Sequence, residues 1–340
     1  MRFDEIGTSE ETNVKAIRQY EFGPAETLRY EEVPDPVPGE GQVLVEVAAA
    51  GVHLLDTAIR AGQTGGPFPR PELPMTPGRE VAGTVVATGP GADPSWTGKR
   101  VVAHLGMASG GYASLAVAAQ TSLHEIPDSL TAEAAVAMIG TGRTAVGILD
   151  AAEIEAEDVV LVPSAAGGLG SLFVQAARGA GAVAVGLAGG LEKVRRVQAL
   201  GADVAVDYRE PGWPDRVLAA LDGRKPTVLL DGVGGEVGRA GLEMLDTGGR
   251  IVMFGWTSGG VTPFTSTDIA ARSLSVAWVT GPRMMKRYGG LRGLETRSLA
   301  EAAAGHLVPL VNPPFPLADA AAAHQALETR ATTGKVVLTP

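Results

Sequence analysis

The sequence predicts an α/β protein in which a parallel-sheet domain is inserted between two parts of a β-rich domain. Three observations carry that prediction. The first third holds short β-branched runs separated by glycine and proline, the middle alternates such runs with helical stretches, and the tail returns to helix and strand. At 340 residues, the chain also exceeds what one ordinary core organises, so two domains are expected.

Residues 43–47 (Val-Leu-Val-Glu-Val) and 81–88 read as strands, bounded by Pro36-Val37-Pro38-Gly39 and Gly89-Pro90-Gly91. Residues 99–103 follow a Thr97-Gly98 turn, and Gly110-Gly111-Tyr112 punctuates again, a spacing that suits a compact barrel. Residues 158–162 then read as a buried strand, 169–178 as a helix, 182–187 as a second strand and 191–200 as a helix closed by Gly201. Residues 204–207, 227–231 and 250–254 supply further strands of a parallel sheet. The tail offers helices over 296–305 and 317–329 and a last strand over 335–338. The expected division is 14–136 with 307–340 for the β-rich domain, 137–306 for the inserted domain, and 1–13 as a mobile extension.

Composition removes several function classes. A hydrophobic share of 45 % with 19 % charged residues describes a globular chain. No apolar run approaches the roughly 18 residues that cross a bilayer. The acidic, polar start lacks the pattern of a secretory signal, so a cytoplasmic location is expected. The net charge of −10, without a basic cluster, argues against nucleic acid, which is held by neutralising phosphates. The absence of cysteine excludes disulfides, thiol nucleophiles and cysteine-ligated zinc. The five histidines, at 53, 104, 124, 306 and 324, form no HExxH or His-x-His pattern, so no metal is expected.

The strongest local signal is the turn Ala165-Ala166-Gly167-Gly168-Leu169-Gly170, between a strand and a helix. A dinucleotide-binding turn must leave a strand sharply, bring backbone N–H groups to the pyrophosphate and open a helix whose positive end faces it. Ala165, Gly167 and Gly170 take the places of the three glycines in that pattern, with alanine at the first as a departure that a negative φ tolerates. The second strand ends in Gly186-Leu187-Ala188-Gly189-Gly190, without the acid that holds a ribose 2′-hydroxyl in NAD enzymes. Lys193 follows, either as a cation for a 2′-phosphate or as a solvated helix residue. The expected cofactor is NADPH.

Several motifs together resemble the medium-chain dehydrogenase/reductase superfamily and, within it, the zinc-independent quinone oxidoreductases. They are residues 50–56 (Ala-Gly-Val-His-Leu-Leu-Asp), Arg60-Ala61-Gly62, residues 77–83 (Pro-Gly-Arg-Glu-Val-Ala-Gly), the glycine turn, Leu200 to Asp203, Gly248 to Arg250 and the terminal Gly334 to Leu338. The resemblance implies a Rossmann dinucleotide-binding domain inserted in a GroES-like β-barrel catalytic domain, with the active site in the cleft between them. It implies 2′-phosphate contacts at Lys193, Tyr208 and Arg330, a nicotinamide neighbour at Thr144, and a wall over its ring from Gly232, Val233, Phe254 and Gly255. It also implies a homodimer, through an apolar edge strand at residues 274–279. Zinc-dependent relatives place cysteine near residue 53, histidine at the position of Arg79, and a four-cysteine lobe. This chain has none of these, and without a Lewis acid the feasible acceptor is one already electrophilic, a quinone or an enone.

The chain departs from the family's pattern at two candidate catalytic positions. His53 stands where the family usually has asparagine, and Thr64 stands near the family's tyrosine. Two roles are open to His53: hydrogen bonding or proton delivery to the substrate carbonyl, or packing beneath the cofactor. Asp56 and Arg60 are expected to fix the loop or pair with each other, and Glu80 to be paired internally. A short-chain reductase is excluded, because none of the tyrosines has lysine four residues on. An enoyl reductase remains an alternative, as does a cofactor-binding protein without turnover.

Overall fold

The computed structural model describes residues 13–63, 70–106, 108–287 and 289–340. These form two compact units. One comprises the described residues up to 125 with 314–331 and 337–340; the other comprises 126–313 and 332–336. The expected borders at 136/137 and 306/307 therefore fall at 125/126 and 313/314. The reason is packing: residues 138–152 lie against a helix over residues 291–303, residues 132–137 pack on 138–142, and all of them so belong with the inserted unit. Residues 332–336 return to it because the Gly334 N–H donates to Ala166 O and the Lys335 N–H to Leu310 O.

The first unit contains β1 (Asn13–Gln19), β2 (Leu28–Pro34), β3 (Gln42–Val52), α1 (Leu54–Arg60), β4 (Glu80–Thr88), β5 (Arg100–His104), β6 (Leu115–Ala119) and β7 (Leu123–Glu125). β1 and β2 form an antiparallel hairpin. β3 is the hub of the larger sheet, pairing with β4 through two register shifts on one side and with β6 in regular register on the other. Val43, Val45 and Val47 alternate inward from β3, the period-2 pattern of a half-buried strand.

The inserted unit begins with α2 (Ala132–Ala137), a π-helical turn over Met138–Gly142 and α3 (Arg143–Ala152). β8 (Val159–Pro163), α4 (Gly168–Gly179), β9 (Val183–Ala188), α5 (Leu191–Ala199), β10 (Val204–Asp207) and α6 (Trp213–Ala220) make the first half. β11 (Val228–Asp231), α7 (Gly235–Met244), β12 (Arg250–Met253), α8 (Ser266–Arg272), β13 (Ser275–Trp278), α9 (Pro282–Arg287) and α10 (Leu291–Ala303) follow. The sheet order is β10-β9-β8-β11-β12-β13, all parallel. This is the doubly wound order, and the direction of winding switches between β8 and β11, where such sheets bind ligands beyond their carboxyl ends. Every residue of β8 is buried, which explains its continuous apolar run. Leu161, Leu187, Leu229 and Ile251 share one core cluster with Val217 and Leu242, and each large side chain so buried contributes about 1.5–3 kcal/mol.

The chain closes in the first unit with β14 (Phe315–Pro316), α11 (Ala320–Glu328) and β15 (Val336–Thr339), the last pairing with β14 and β3. Among the described residues, no helix is long and apolar enough to cross a membrane.

Candidate functional site

The turn from β8 into α4 is built by backbone proximity. The Ala165 N–H donates to Leu187 O of β9, and the Gly167 N–H donates to Ser164 O, so the chain reverses within three residues. The left-handed residue of this turn is Ser164, at φ +57°, which leaves Ala165 free of the strain that glycine would otherwise relieve. Gly167 caps α4 in an extended conformation; Gly168 and Leu169 open the helix, so their N–H groups are among those without an intrahelical acceptor. Gly170 packs α4 onto the strand: a Cβ there would lie 2.7 Å from Ala165 Cα and run into Ser164 O. These features give a helix N-terminus open at its first turn, a cradle that fits a pyrophosphate.

At the end of β9, the Tyr208 N–H donates to Ala188 O and stitches the segment after β10 onto it. A Cβ at Gly189 would lie 3.4 Å from the Tyr208 hydroxyl and 3.3 Å from Arg209 Cδ. Lys193 is the third residue of α5 and half-buried. The structure thus brings Lys193 and Tyr208 to one strand end, together with Arg209, which sequence reasoning missed. Arg330 belongs to the other unit, at φ +57° just after α11.

Beyond β11, a second group forms a wall. The fully buried Asp231 accepts the N–H groups of Val233 (3.0 Å) and Gly234 (2.8 Å) with one oxygen, and the Thr262 hydroxyl with the other. The Thr257 and Ser258 N–H groups donate to Gly232 and Val233 carbonyls, zipping the loop after β12 onto the loop after β11. Phe254 packs edge-on against Phe173 at 5.4 Å, and Gly255 lies on Gly232, where a Cβ would sit 3.0 Å from its carbonyl oxygen. Val233, Phe254 and Gly255 are therefore one assembly, and Asp231 is its organiser. Thr144 turns its hydroxyl back onto Gly140 O at 2.9 Å, next to the π-helical turn, a form of helix frequent at functional sites.

In the first unit, His53 precedes α1, and its Nε2 lies 2.6 Å from Glu80, whose side chain is fully buried. Asp56 caps α1 by accepting the His53 N–H at 2.8 Å. Thr64 lies outside the described residues. The expected mutual pairing of Asp56 and Arg60 does not occur. Asp56 meets Arg79 at 3.4 Å, while Arg60 is held by Glu328 at 2.6 Å, because each side chain is turned into a different buried neighbourhood. Tyr112 bridges them: its hydroxyl is 3.3 Å from Asp56 and 3.2 Å from His324 Nε2, and His324 Nδ1 is 3.4 Å from Arg60. Burial, with Asp56 alongside, pushes the Tyr112 phenol well above its ordinary value. Burial, with help from Arg60, pulls His324 down to about 4 against the opposing pull of Asp56. His324 is therefore neutral at neutral pH and serves as a hydrogen-bond relay between α11 and α1. Among the described residues, no group of three or more His, Asp or Glu side chains is placed to hold a metal ion.

Comparison with known proteins agrees with both units. Residues 39–128 match the alcohol dehydrogenase GroES-like domain, and residues 168–291 match a model described as zinc-binding dehydrogenase. A Rossmann sheet inserted in a GroES-like fold defines the medium-chain dehydrogenase/reductase class of oxidoreductases. The quinone oxidoreductase of Sus scrofa is 31% identical, with 96% of this chain and 97% of that protein covered. That of Pseudomonas aeruginosa is 32% identical over 96% of this chain and 99% of its own. The crystal structure of the Escherichia coli quinone oxidoreductase in complex with NADPH is 30% identical, covers 96% of this chain and 100% of its own, and has a TM-score of 0.81. The chain belongs to the quinone oxidoreductase family of the medium-chain dehydrogenase/reductase superfamily.

The His324 relay predicts an acid-sensitive fold. The folded value near 4 lies below the ordinary 6.5, so between them the unfolded chain binds more protons. The contribution is complete above about pH 6.5 and is lost as pH falls toward 4, on the order of 3 kcal/mol in all. Urea unfolding from pH 7 to 4.5 checks this: the slope of stability against pH flattens in His324→Gln. In the wild-type protein, the ring's NMR signals stay constant from pH 7 to 5.

Proposed function

We propose that this protein is a zinc-independent, NADPH-dependent oxidoreductase that transfers a hydride to a quinone or another conjugated carbonyl acceptor. The observation that carries the cofactor choice is the end of β9. There two glycines stand in place of the acid of an NAD site, and the Tyr208 hydroxyl lies beside them. Lys193, Tyr208 and Arg330 are the proposed 2′-phosphate ligands. The relatives named as quinone oxidoreductases, one of them solved with NADPH, support the same reading.

The case for zinc independence is the donor set. The chain has no cysteine, and Arg79, at the position of a zinc ligand in other branches, is salt-bridged to Asp56. Bound NADPH would supply the hydride. The turn at Gly167–Gly170 would hold its pyrophosphate, and the wall of Val233, Phe254 and Gly255 would shield the ring from water. A quinone that accepts a hydride becomes a hydroquinone anion and then needs one proton. His53, oriented through its Nε2 by Glu80, is the proposed donor to that oxygen. The proposal includes a cytoplasmic location, where a pool of reduced dinucleotide is at hand.

We also propose a homodimer through β13. This strand is the edge of its sheet, hydrogen-bonded only to β12 among the described residues. Trp278 on β13 stacks on Trp256 at 5.4 Å, and the two rings are 39% and 50% exposed. An apolar edge of this kind invites strand pairing.

Steady-state NADPH oxidation with 1,4-benzoquinone, 9,10-phenanthrenequinone and simple enones tests the activity. Turnover on the quinones, undiminished by EDTA, is the expected result. Turnover on enones alone would make the protein an enone reductase, and tight NADPH binding without turnover would make it a binding protein. His53→Ala is expected to lower kcat/KM roughly 100-fold; an unchanged value would remove His53 from the chemistry. Sedimentation at micromolar concentration should show a dimer that Trp278→Lys converts to monomer, and a wild-type monomer would rule out the β13 interface.

A further inference from the structure

One cation near the end of β9 has no place in the family resemblance. Arg209 follows Tyr208 two residues beyond β10. The buried Asp207 carboxylate accepts the Arg209 N–H at 3.0 Å and also the N–H of Gly190. These bonds tie the loops after β9 and β10 together, and they hold Asp207 below the usual carboxylate range although burial opposes them. The Arg209 side chain then folds back over the two glycines. A Cβ at Gly189 would lie 3.3 Å from Arg209 Cδ. One at Gly190, where φ is +97°, would lie 3.2 Å from Cζ and run into a guanidinium nitrogen. The guanidinium therefore lies on backbone where only glycine leaves room for it, in the same spot as the Tyr208 hydroxyl.

We propose that Arg209 is a specificity-determining residue: its guanidinium, laid on Gly189–Gly190 beside the Tyr208 hydroxyl, receives the 2′-phosphate of the cofactor. This inference rests on the NADPH reading and assigns to it a residue of this chain. In a doubly wound sheet the adenosine ribose lies at the end of the second strand, so the floor on which Arg209 rests is where its 2′-substituent is read. A planar guanidinium matches phosphate oxygens in pairs and is easily desolvated. Its present partner holds it weakly. Arg209 Nε is 3.5 Å from Asp207, and the arginine side chain is 64% exposed, so water and salt screen the pair. Turning the guanidinium to a phosphate dianion thus forfeits little. Asp207 is a positioning residue. Its carboxylate is turned to the backbone N–H groups of Arg209 and Gly190. The neighbouring Glu192 is engaged by Arg196 at 3.4 Å.

Calorimetric titration with adenosine 2′,5′-bisphosphate and with 5′-AMP isolates the phosphate from the chemistry, and fluorescence titration with NADPH and NADH repeats the comparison on whole cofactors. The wild-type protein is expected to prefer the 2′-phosphorylated member of each pair. Arg209→Gln should weaken the bisphosphate and NADPH roughly 10- to 100-fold and leave 5′-AMP and NADH unchanged. Arg209→Lys should lose less, and Lys193→Ala is the reference for a direct phosphate contact. The exposed side chain makes both Arg209 variants stable, which thermal unfolding verifies. An Arg209→Gln protein that keeps the wild-type preference overturns the assignment of Arg209 and leaves the NADPH reading intact. Equal losses for both members of a pair overturn it as well, because they place Arg209 on the adenosine. A wild-type protein without preference overturns the NADPH reading and this inference with it.

Discussion

At Gly170 the first turn of α4 rests on the backbone of Ser164 and Ala165 with no side chain between them. That contact sets the distance between helix and sheet, and with it the position of the open N–H groups at the start of α4. Any side chain at Gly170 would lift the helix off β8 and tilt its dipole away from the strand end. The reversal before it depends on the same closeness, since the Gly167 N–H can reach Ser164 O only while Ser164 is left-handed. Elements farther along the sheet repeat the theme. Gly189 and Gly190 let Arg209 lie on backbone, and Gly232 and Gly255 let two loops meet as one wall. On the proposed reading, the unit would bind its cofactor mainly with backbone, and the charged side chains would refine that binding at one corner.

The parallel strands were legible because β8 and β11 are buried along their whole length and β9 from its second residue on, so they carry nearly continuous apolar runs. The helix after the glycine turn was legible for a related reason, its apolar positions recurring at helical spacing. Other features had no local signal. A serine in a left-handed turn looks like any serine, so the tolerance of alanine at position 165 became clear only from the backbone. Arg209 is one arginine among many until β9 and β10 are set side by side. Asp231 ends a strand in the manner of a ligand-binding acid, yet it is consumed by the N–H groups of the loop that follows. Asp56 and Arg60 have the spacing of a helical ion pair, but tertiary partners outbid that spacing on both sides. The border between units shifted because α2 and α3 look alike to either domain, and only the packing of α3 and the π-helical turn on α10, with α2 on that turn, decides.

The polar chain from Arg79 through Asp56, Tyr112 and His324 to Arg60 and Glu328 shows a different economy. Each member is satisfied by the next, so the chain ties α11 to α1 through polar groups. Removing one hydroxyl or one ring would strand its neighbours without partners in a dry interior, which costs more than the lost bond itself. This explains how the short helix α1, with His53 at its head and Glu80 behind, keeps one orientation. The rigidity that would let a histidine deliver a proton at a fixed point comes from a network that does not itself touch the acceptor.

The last residues have a consequence for how the molecule is made. β15 pairs with β3, almost the whole chain length away, whereas the sheet of the inserted unit is complete once β13 has been synthesised. During synthesis the parallel sheet can close while β3 still lacks β15, with part of one backbone edge open. Contacts that join distant parts of a sequence form late and slowly. The two units are therefore expected to mature in the reverse of their order along the chain, and β15 acts as a latch that can engage only after the inserted sheet has been made.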